Sequence, residues 1–250
     1  MNIVIPMAGA GSRFAAQGYT APKPLIPING IEMIRVVIAN LRPQCAHRFI
    51  FICQQAHIDA YGLQEKLSAW ASGCEIIGLN ALTQGAACTV LAARSLIDSD
   101  QPLMIANSDQ YIDASIDAYL AHMEHNRLDG LIMTMKAHDP KWSFVGLDQN
   151  QFVTRVVEKQ VISDEATVGI YNFRNGSDFV RAADTMIAKD LRVNNEFYVA
   201  PTYNELIQDG QQVGIFNIGS EASGMYGLGT PADLDLFLGL PVHLKATAGL

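Results

Sequence analysis

Along the first half of the chain, short apolar runs alternate with stretches of helical spacing, and this constrains the fold more than any other feature. Asn2–Met7, Arg48–Cys53, Cys74–Leu79, Leu103–Asn107 and Gly130–Lys136 are brief and apolar, and most are rich in β-branched residues. Between them, Glu32–Leu41, Asp59–Ala71, Gly85–Ile97 and Ile112–Asn126 carry apolar residues at helical intervals. Strands that are apolar along their whole length are buried on both faces. The alternation therefore predicts an α/β fold of βαβ units, with a mostly parallel central sheet and helices on both faces. After residue 136 the character changes. Phe144–Leu147, Val153–Glu158, Thr167–Phe173 and Gln212–Ile218 read as strands separated by turn residues. Asp178–Asp190, Thr202–Gln208 and Ala232–Leu238 read as helices. No linker rich in Pro, Gly or Ser interrupts the chain, so one domain over residues 1–250 is expected.

Composition narrows what such a domain can do. Apolar residues are 49 % of 250, enough for a sizeable core and against disorder. Seventeen Lys and Arg against twenty-five Asp and Glu give a net charge of −8. An acidic surface argues against nucleic acid and anionic membranes as partners. No basic residue precedes the apolar N-terminal run, which does not read as a signal peptide, and no segment is long enough to span a bilayer. The four cysteines, Cys45, Cys53, Cys74 and Cys88, form no CxxC pair and read as buried, reduced thiols. A cytoplasmic protein is expected; a homo-oligomer is compatible with the sequence.

Several motifs carry chemistry. Ala8-Gly9-Ala10-Gly11-Ser12-Arg13 directly follows the first strand. Glycines let backbone N–H groups approach an anion, and a following helix N-terminus favours negative charge. The spacing is neither GxGxxG nor GxxxxGK[ST], which argues against a dinucleotide site and a P-loop; a structural turn is the plainer alternative. Lys23 lies between Pro22 and Pro24, on backbone expected to be extended and non-helical, so the lysine is aimed. Arg13 and Lys23 beside a Gly-rich loop suit a triphosphate. Ile105-Ala106-Asn107-Ser108-Asp109 delivers a carboxylate at a strand's C-terminal end, where α/β sheets bind ligands; a helix N-cap is the alternative for Asp109.

The combination GAGSRF…PKPLIPINGIEMI resembles the signature of the sugar-1-phosphate nucleotidyltransferases, roughly GxGTRL…PKPLxPVxGKPMI. Ser12 stands where Thr is usual and Glu32 where Pro is common. The resemblance runs from residue 1 to about 238 and implies a Rossmann-like fold of the GT-A type. It makes residues 1–136 the nucleotide-binding half and 137–250 the acceptor-binding half. It implies that Ala8, Gly9, Gly11 and Ser12 wrap the triphosphate, that Arg13 steadies the β and γ phosphates, and that Lys23 holds the α phosphate. Thr83-Gln84-Gly85-Ala86-Ala87 corresponds to a base-pocket segment, so Gln84 and Gly85, with Asn107 and Ser108, join the nucleotide site. Asp109 matches the family's metal-binding Asp, with Mg²⁺ as the implied ion. Glu158 and Lys159, followed by Thr167 and Gly169, resemble the family's xEKP…GIYxF acceptor segments, with Gln160 in place of Pro. Trp142–Leu147 falls where relatives have a strand beside the sugar. Glu196 and Tyr198 loosely match a later acceptor segment. Gly227 stands where relatives carry a second metal-binding Asp, which leaves Asp109, with Glu196 and Glu221 as the other candidate carboxylates.

The resemblance implies transfer of a nucleotidyl group from an NTP to a sugar 1-phosphate with release of pyrophosphate. The resulting NDP-sugar would serve surface polysaccharide synthesis. Other readings change the acceptor to a phospho-amino-alcohol such as phosphocholine, with Glu158 and Trp142 facing a cation, or change the class to a GT-A glycosyltransferase or a non-catalytic nucleotide-sugar sensor.

Overall fold

The computed structural model describes residues 1–250. In chain order the strands are β1 Asn2–Pro6, β2 Pro27–Ile28, β3 Ile31–Glu32, β4 Arg48–Gln54, β5 Glu75–Leu79, β6 Leu103–Ala106, β7 Gln110–Ile112, β8 Gly130–Lys136, β9 Ser143–Leu147, β10 Val153–Glu158, β11 Glu165–Phe173, β12 Val213–Glu221 and β13 Gly224–Gly227. The helices are α1 Ser12–Ala15, α2 Met33–Leu41, α3 Gln55–Tyr61, α4 Leu63–Trp70, α5 Ala86–Leu91, α6 Arg94–Ile97, α7 Ile116–His125, α8 Gly176–Ala188, α9 Tyr203–Gln208, α10 Pro231–Leu238 and α11 Val242–Thr247.

Eleven strands form one twisted sheet, with the order β5-β4-β1-β6-β11-β8-β12-β13-β7 and a β9–β10 hairpin attached to β11. β1 pairs in parallel with β4 and β6, setting Val4 beside Ile50 and Ile105. β11 is inserted antiparallel between β6 and β8, and β12 then runs parallel to β8. The sheet is thus mostly parallel along its main path, as the alternation predicts.

Successive residues of β1 feed opposite cores, the consequence of a two-residue side-chain period. Ile3 and Ile5 pack with Ile34, Val37, Leu67, Tyr119 and Met123 from α2, α4 and α7. Val4 packs with Val90, Ile97, Phe179, Val180 and Leu206 from α5, α6, α8 and α9. Every residue of β11 is buried, which suits its central place. A smaller core under α10 and α11 holds Phe14, Met33, Tyr111 and Phe237 together.

Four details differ from the sequence reading. The expected helix over residues 59–71 is two helices, because Gly62 takes a left-handed conformation (φ 61°) that ends α3 and opens α4. The expected helix over 85–97 breaks where Ala92 and Ala93 bond three residues back, to Thr89 and Val90. Residues 110–112 are not helical: they pair with Gly224–Gly227, and the helix starts only after Ser115, whose hydroxyl accepts from the Ala118 N–H at 3.2 Å. Of the four cysteines expected to be buried only Cys53 is: Cys45 is exposed and Cys74 and Cys88 are half-buried, although all four thiols are free.

Candidate active site

β1, β4, β5 and β6 run in parallel, so the loops that follow them collect at one sheet edge. The glycine loop after β1 is tied there by Gln54, whose Nε2 donates to the carbonyls of Ala8 (3.2 Å) and Gly9 (2.9 Å). Gly11 is left-handed, and a Cβ there would stand only 3.7 Å from Lys23 Cβ, so the loop lies close against the lysine.

Lys23 is not extended. Lys23–Leu25 make a single 3-10 turn, with Leu25 N–H bonded to Pro22 O (2.8 Å) and Ile26 N–H to Lys23 O (3.1 Å). Pro24 is tolerated because N–H groups in a helix's first turn have no helical partner to lose. The turn still fixes the side chain's aim: Lys23 Nζ lies 2.6 Å from Asp109 Oδ2. Both side chains keep about a quarter of their surface exposed, 25 % and 22 %, so the pair adds little stability, roughly 0–1 kcal/mol. Gly229 crowds the same oxygen, since a Cβ there would stand 2.8 Å from it.

Lys23 and Asp109 share a cleft of about 380 Å³ with Ala8, Gly9, Gly85, Asn107, Ser108 and Glu196. Gly11 lines an adjoining cleft that also holds Gly9 and Lys23. Ser12, Arg13 and Gln84 line neither cleft. Arg13 is exposed on α1, forms no ion pair, and its charge reaches the Tyr198 hydroxyl. Gln84 contributes its carbonyl, which accepts from Phe197 N–H at 2.8 Å, while Ala87 N–H returns a bond to Phe197 O at 3.0 Å. Gly85 permits this approach: its φ is 127°, and a Cβ would fall 2.5 Å from the Phe197 backbone. This contact carries Glu196 to the Lys23–Asp109 cleft, where its charge also reaches Glu158 and Tyr198 of the neighbouring cleft.

A second cleft of about 270 Å³ holds Trp142, Ser143, Glu158, Lys159, Thr167, Gly169, Tyr171 and Tyr198. Asn107 and Ala86 line both clefts. At this junction Gly169 is left-handed and its carbonyl accepts from Asn107 N–H at 3.0 Å; a Cβ on Gly169 would meet Asn107 Nδ2 at 2.1 Å. Adjacent strand residues point to opposite faces, yet Glu158 and Lys159 serve the same cleft. The reason is that β10 ends at Glu158 and Lys159 turns left-handed (φ 57°).

Glu158 is buried, and burial pushes its carboxyl above the usual range. Hydrogen bonding from Ser143 and the charge of Lys159, whose Nζ is 3.9 Å from Oε1, oppose that push; Glu196 adds to it. The Tyr198 hydroxyl is pushed up to about 12, by burial first and then by Glu196. Gln54 was not singled out from the sequence; Ser143 and Tyr171 fell inside segments that the resemblance marked, Trp142–Leu147 and the GIYxF match, without a role of their own. Register alone places Ser143 opposite Glu158, and no motif spacing marks it.

Of the two carboxylates in the Lys23 cleft, Asp109 and Glu196, only Asp109 pairs with the lysine. The chain gathers no group of three His, Cys, Asp or Glu side chains able to hold a metal ion. Gly227 has ordinary backbone torsions, and a Cβ there would face Asp233, 3.7 Å from Cγ. Glu221 is engaged with Lys141 at 2.7 Å. Asp109 is a hard oxygen donor of the kind Mg²⁺ takes, and its Oδ2 is paired with Lys23.

The pattern of the nucleotidyl transferases matches residues 3–217. Over 210 residues the chain is 23 % identical to a mannose-1-phosphate guanyltransferase of Gibberella zeae, covering 76 % of this chain and 54 % of that protein. The chain thus spans about half the length of that curated relative. Its fold superposes on a nucleoside-diphosphate-sugar pyrophosphorylase from Vibrio cholerae RC9 with TM-score 0.81 and 27 % identity, over 95 % of this chain and 100 % of that one. An inositol-1-phosphate CTP transferase from T. maritima shares the fold at TM-score 0.77 and 15 % identity, over 100 % of this chain and 97 % of that one. With a glycine loop, a lysine and a carboxylate gathered at one sheet edge and the family pattern running through most of its length, the chain belongs to the nucleotidyl transferase family of enzymes.

Proposed function

We propose that this enzyme transfers a nucleotidyl group from an NTP to a sugar 1-phosphate, releasing pyrophosphate and forming an NDP-sugar for surface polysaccharide synthesis. The observation that carries this reading is the junction at Asn107, where the Lys23–Asp109 cleft meets the Glu158–Lys159 cleft. A donor α phosphate in the first cleft and an acceptor phosphate in the second meet there. An acceptor phosphate oxygen attacks the α phosphorus in line. The new P–O bond forms as the bond to the bridging oxygen of pyrophosphate breaks, and pyrophosphate leaves with that electron pair. Lys23 neutralises charge at the α phosphate, Arg13 swings in from α1 to the β and γ phosphates, and Lys159 holds the acceptor phosphate. Positioning and charge neutralisation supply the rate. Asp109 would hold a divalent ion brought with the nucleotide, which would supply further charge neutralisation at the phosphates.

The aromatic faces of the acceptor cleft favour a sugar over a quaternary amine. Lys141 Nζ stands 4.8 Å over the Trp142 ring and Lys159 Nζ 5.4 Å over the Tyr198 ring, so this chain's own cations occupy them. The DxD carboxylate pair of a GT-A glycosyltransferase is missing, because Gln110 and Tyr111 follow Asp109. The test is pyrophosphate release with each of CTP, UTP, dTTP and GTP against sugar 1-phosphates, inositol 1-phosphate and phosphocholine. Release with a sugar 1-phosphate alone is expected; release only with phosphocholine, or none with any pair, overturns the reading.

A further inference from the structure

Three charged residues line the second cleft: Lys141, Glu158 and Lys159. Glu158 and Lys159 stand 3.9 Å apart, so their charges largely cancel and Lys141 is the surplus cation. The local backbone fixes Lys141 at the cleft. Its N–H donates to Asp139 Oδ1 at 2.9 Å, and the Trp142 N–H donates to the Asp139 carbonyl at 3.3 Å, closing a turn just before β9. The Trp142 carbonyl in turn accepts from the Lys159 N–H at 3.1 Å, which sets the two lysine-bearing segments side by side. The Lys141 ammonium lies 4.8 Å from the centroid of the Trp142 ring, itself part of the cleft wall. Its nearest anion does not line the cleft: Glu221, the last residue of β12, meets Nζ at 2.7 Å, while Asp139 is 4.0 Å away.

A phosphate monoester brings close to two negative charges at neutral pH. Lys159, already beside Glu158, answers only part of that charge. The Lys141–Glu221 pair is readily given up: its side chains are 44 % and 40 % exposed, and water replaces most of what such a pair gains. Exchanging a carboxylate for a phosphate gives the ammonium a more highly charged partner with three acceptor oxygens. We propose that Lys141 is a second cation for the acceptor phosphate, and that Glu221 is a competing counter-ion that releases it when the acceptor binds. The Trp142 ring keeps the ammonium at the cleft during the exchange, and only the anion changes. Glu221 is a positioning residue, since it acts on the acceptor through Lys141 alone. The native Glu221 therefore weakens acceptor binding, the opposite of what an ion pair that supports the cleft would do.

The inference rests on the second cleft being the acceptor site, and a parallel Lys159→Ala variant keeps the two ideas apart. The KM values for acceptor and NTP are measured by pyrophosphate release in the full chain, with α-D-glucose 1-phosphate and α-D-mannose 1-phosphate as acceptors. Lys141→Ala should raise the acceptor KM about five- to tenfold while the NTP KM moves less than about twofold. Lys141→Arg keeps the charge and should restore most of the loss. Glu221→Gln should lower the acceptor KM about two- to fivefold, because it frees the lysine. That gain should vanish when Glu221→Gln is combined with Lys141→Ala, leaving the KM of Lys141→Ala alone. Both side chains are exposed, so each variant should fold, as thermal unfolding will show. If Lys159→Ala raises the acceptor KM and Lys141→Ala does not, the proposal is overturned and the cleft assignment stands. A Glu221→Gln variant with a raised acceptor KM, or equal effects of Lys141→Ala on both substrates, also overturns it. If neither lysine variant moves the acceptor KM, the cleft assignment falls and the proposal with it.

Discussion

The two clefts that meet at Asn107 are built from different materials. The nucleotide side is made largely of backbone and of partly exposed charges: a glycine loop, a lysine on a single helical turn and a carboxylate just past a strand end. The acceptor side is made of buried polar side chains on three adjacent strands, and they satisfy one another. A cleft of the first kind grips a highly charged ligand and can lose one side chain with little effect on folding. A cleft of the second kind discriminates by shape and hydrogen-bond direction, and its members are coupled. Losing one of them leaves another buried and unpaired.

Substitutions on the nucleotide side give the largest expected change and the cleanest way to break this contrast. Asp109→Ala should abolish pyrophosphate release, and Lys23→Ala should lower kcat at least about a hundredfold. Because their ion pair is partly exposed, thermal unfolding should shift by no more than a few degrees, about 2–4 °C per kcal/mol in a chain this size. A large loss of stability in either variant would place the pair in the scaffold instead. At the junction, Gly169→Ala forces a Cβ to within 2.1 Å of Asn107 Nδ2 at a φ of 79°. A cost of about 1–3 kcal/mol is expected, read by calorimetry, with both substrates' KM values raised. Unchanged stability would mean the two clefts are mechanically independent.

Lys159→Ala should raise the acceptor KM about tenfold while the NTP KM moves less than about twofold, seen in steady-state pyrophosphate assays. Equal effects on both substrates would leave the Lys159–Glu158 contact a structural ion pair with no part in acceptor binding. The pH profile sharpens the same division. Burial raises the Glu158 pKa, and only its charged form accepts hydrogen bonds without donating. The acceptor KM should therefore rise as pH falls through a pKa above 4.5, while the NTP KM follows a different profile. A flat acceptor profile down to the ordinary carboxylate range would remove Glu158 from recognition. The smallest effect is expected for Gly227→Asp. With ordinary backbone torsions and a new side chain facing Asp233, the variant should fold. Manganese titration of the nucleotide-free protein, followed by water relaxation, should show little change in weak binding. Tight, stoichiometric binding would mean that the new carboxylate reaches Asp109.

The contrast also explains what could be read in advance. Strands β1, β4, β6 and β8 and the helix α2 were legible because each is decided by its own apolar pattern. β7 and β13 were not: three and four residues long, they are made by pairing, β7 with β13 and β13 also with β12. The breaks at Gly62 and at Ala92–Ala93 interrupt segments whose apolar spacing continues across them. The glycine loop, Lys23 and Asp109 were legible as an ordered motif, although the 3-10 turn that carries Lys23 was not. That Glu196 lines the Lys23–Asp109 cleft was not legible, because its position follows from the backbone contact between Gly85 and Phe197, 112 residues apart.

By itself the sequence determined the βαβ alternation and the phosphate-type loop after β1. These depend on periodicity, on what glycine and proline allow, and on residues close together along the chain. Only the tertiary structure decided that Lys23 rests on Asp109, that Asn107 joins the two clefts, that Ser143 donates to Glu158, and that Thr167 meets Tyr171. Those contacts depend on strand order and register, above all on the antiparallel insertion of β11 between β6 and β8. Register is set by the simultaneous burial of both sheet faces, a property of the whole packed core that no local stretch of sequence carries.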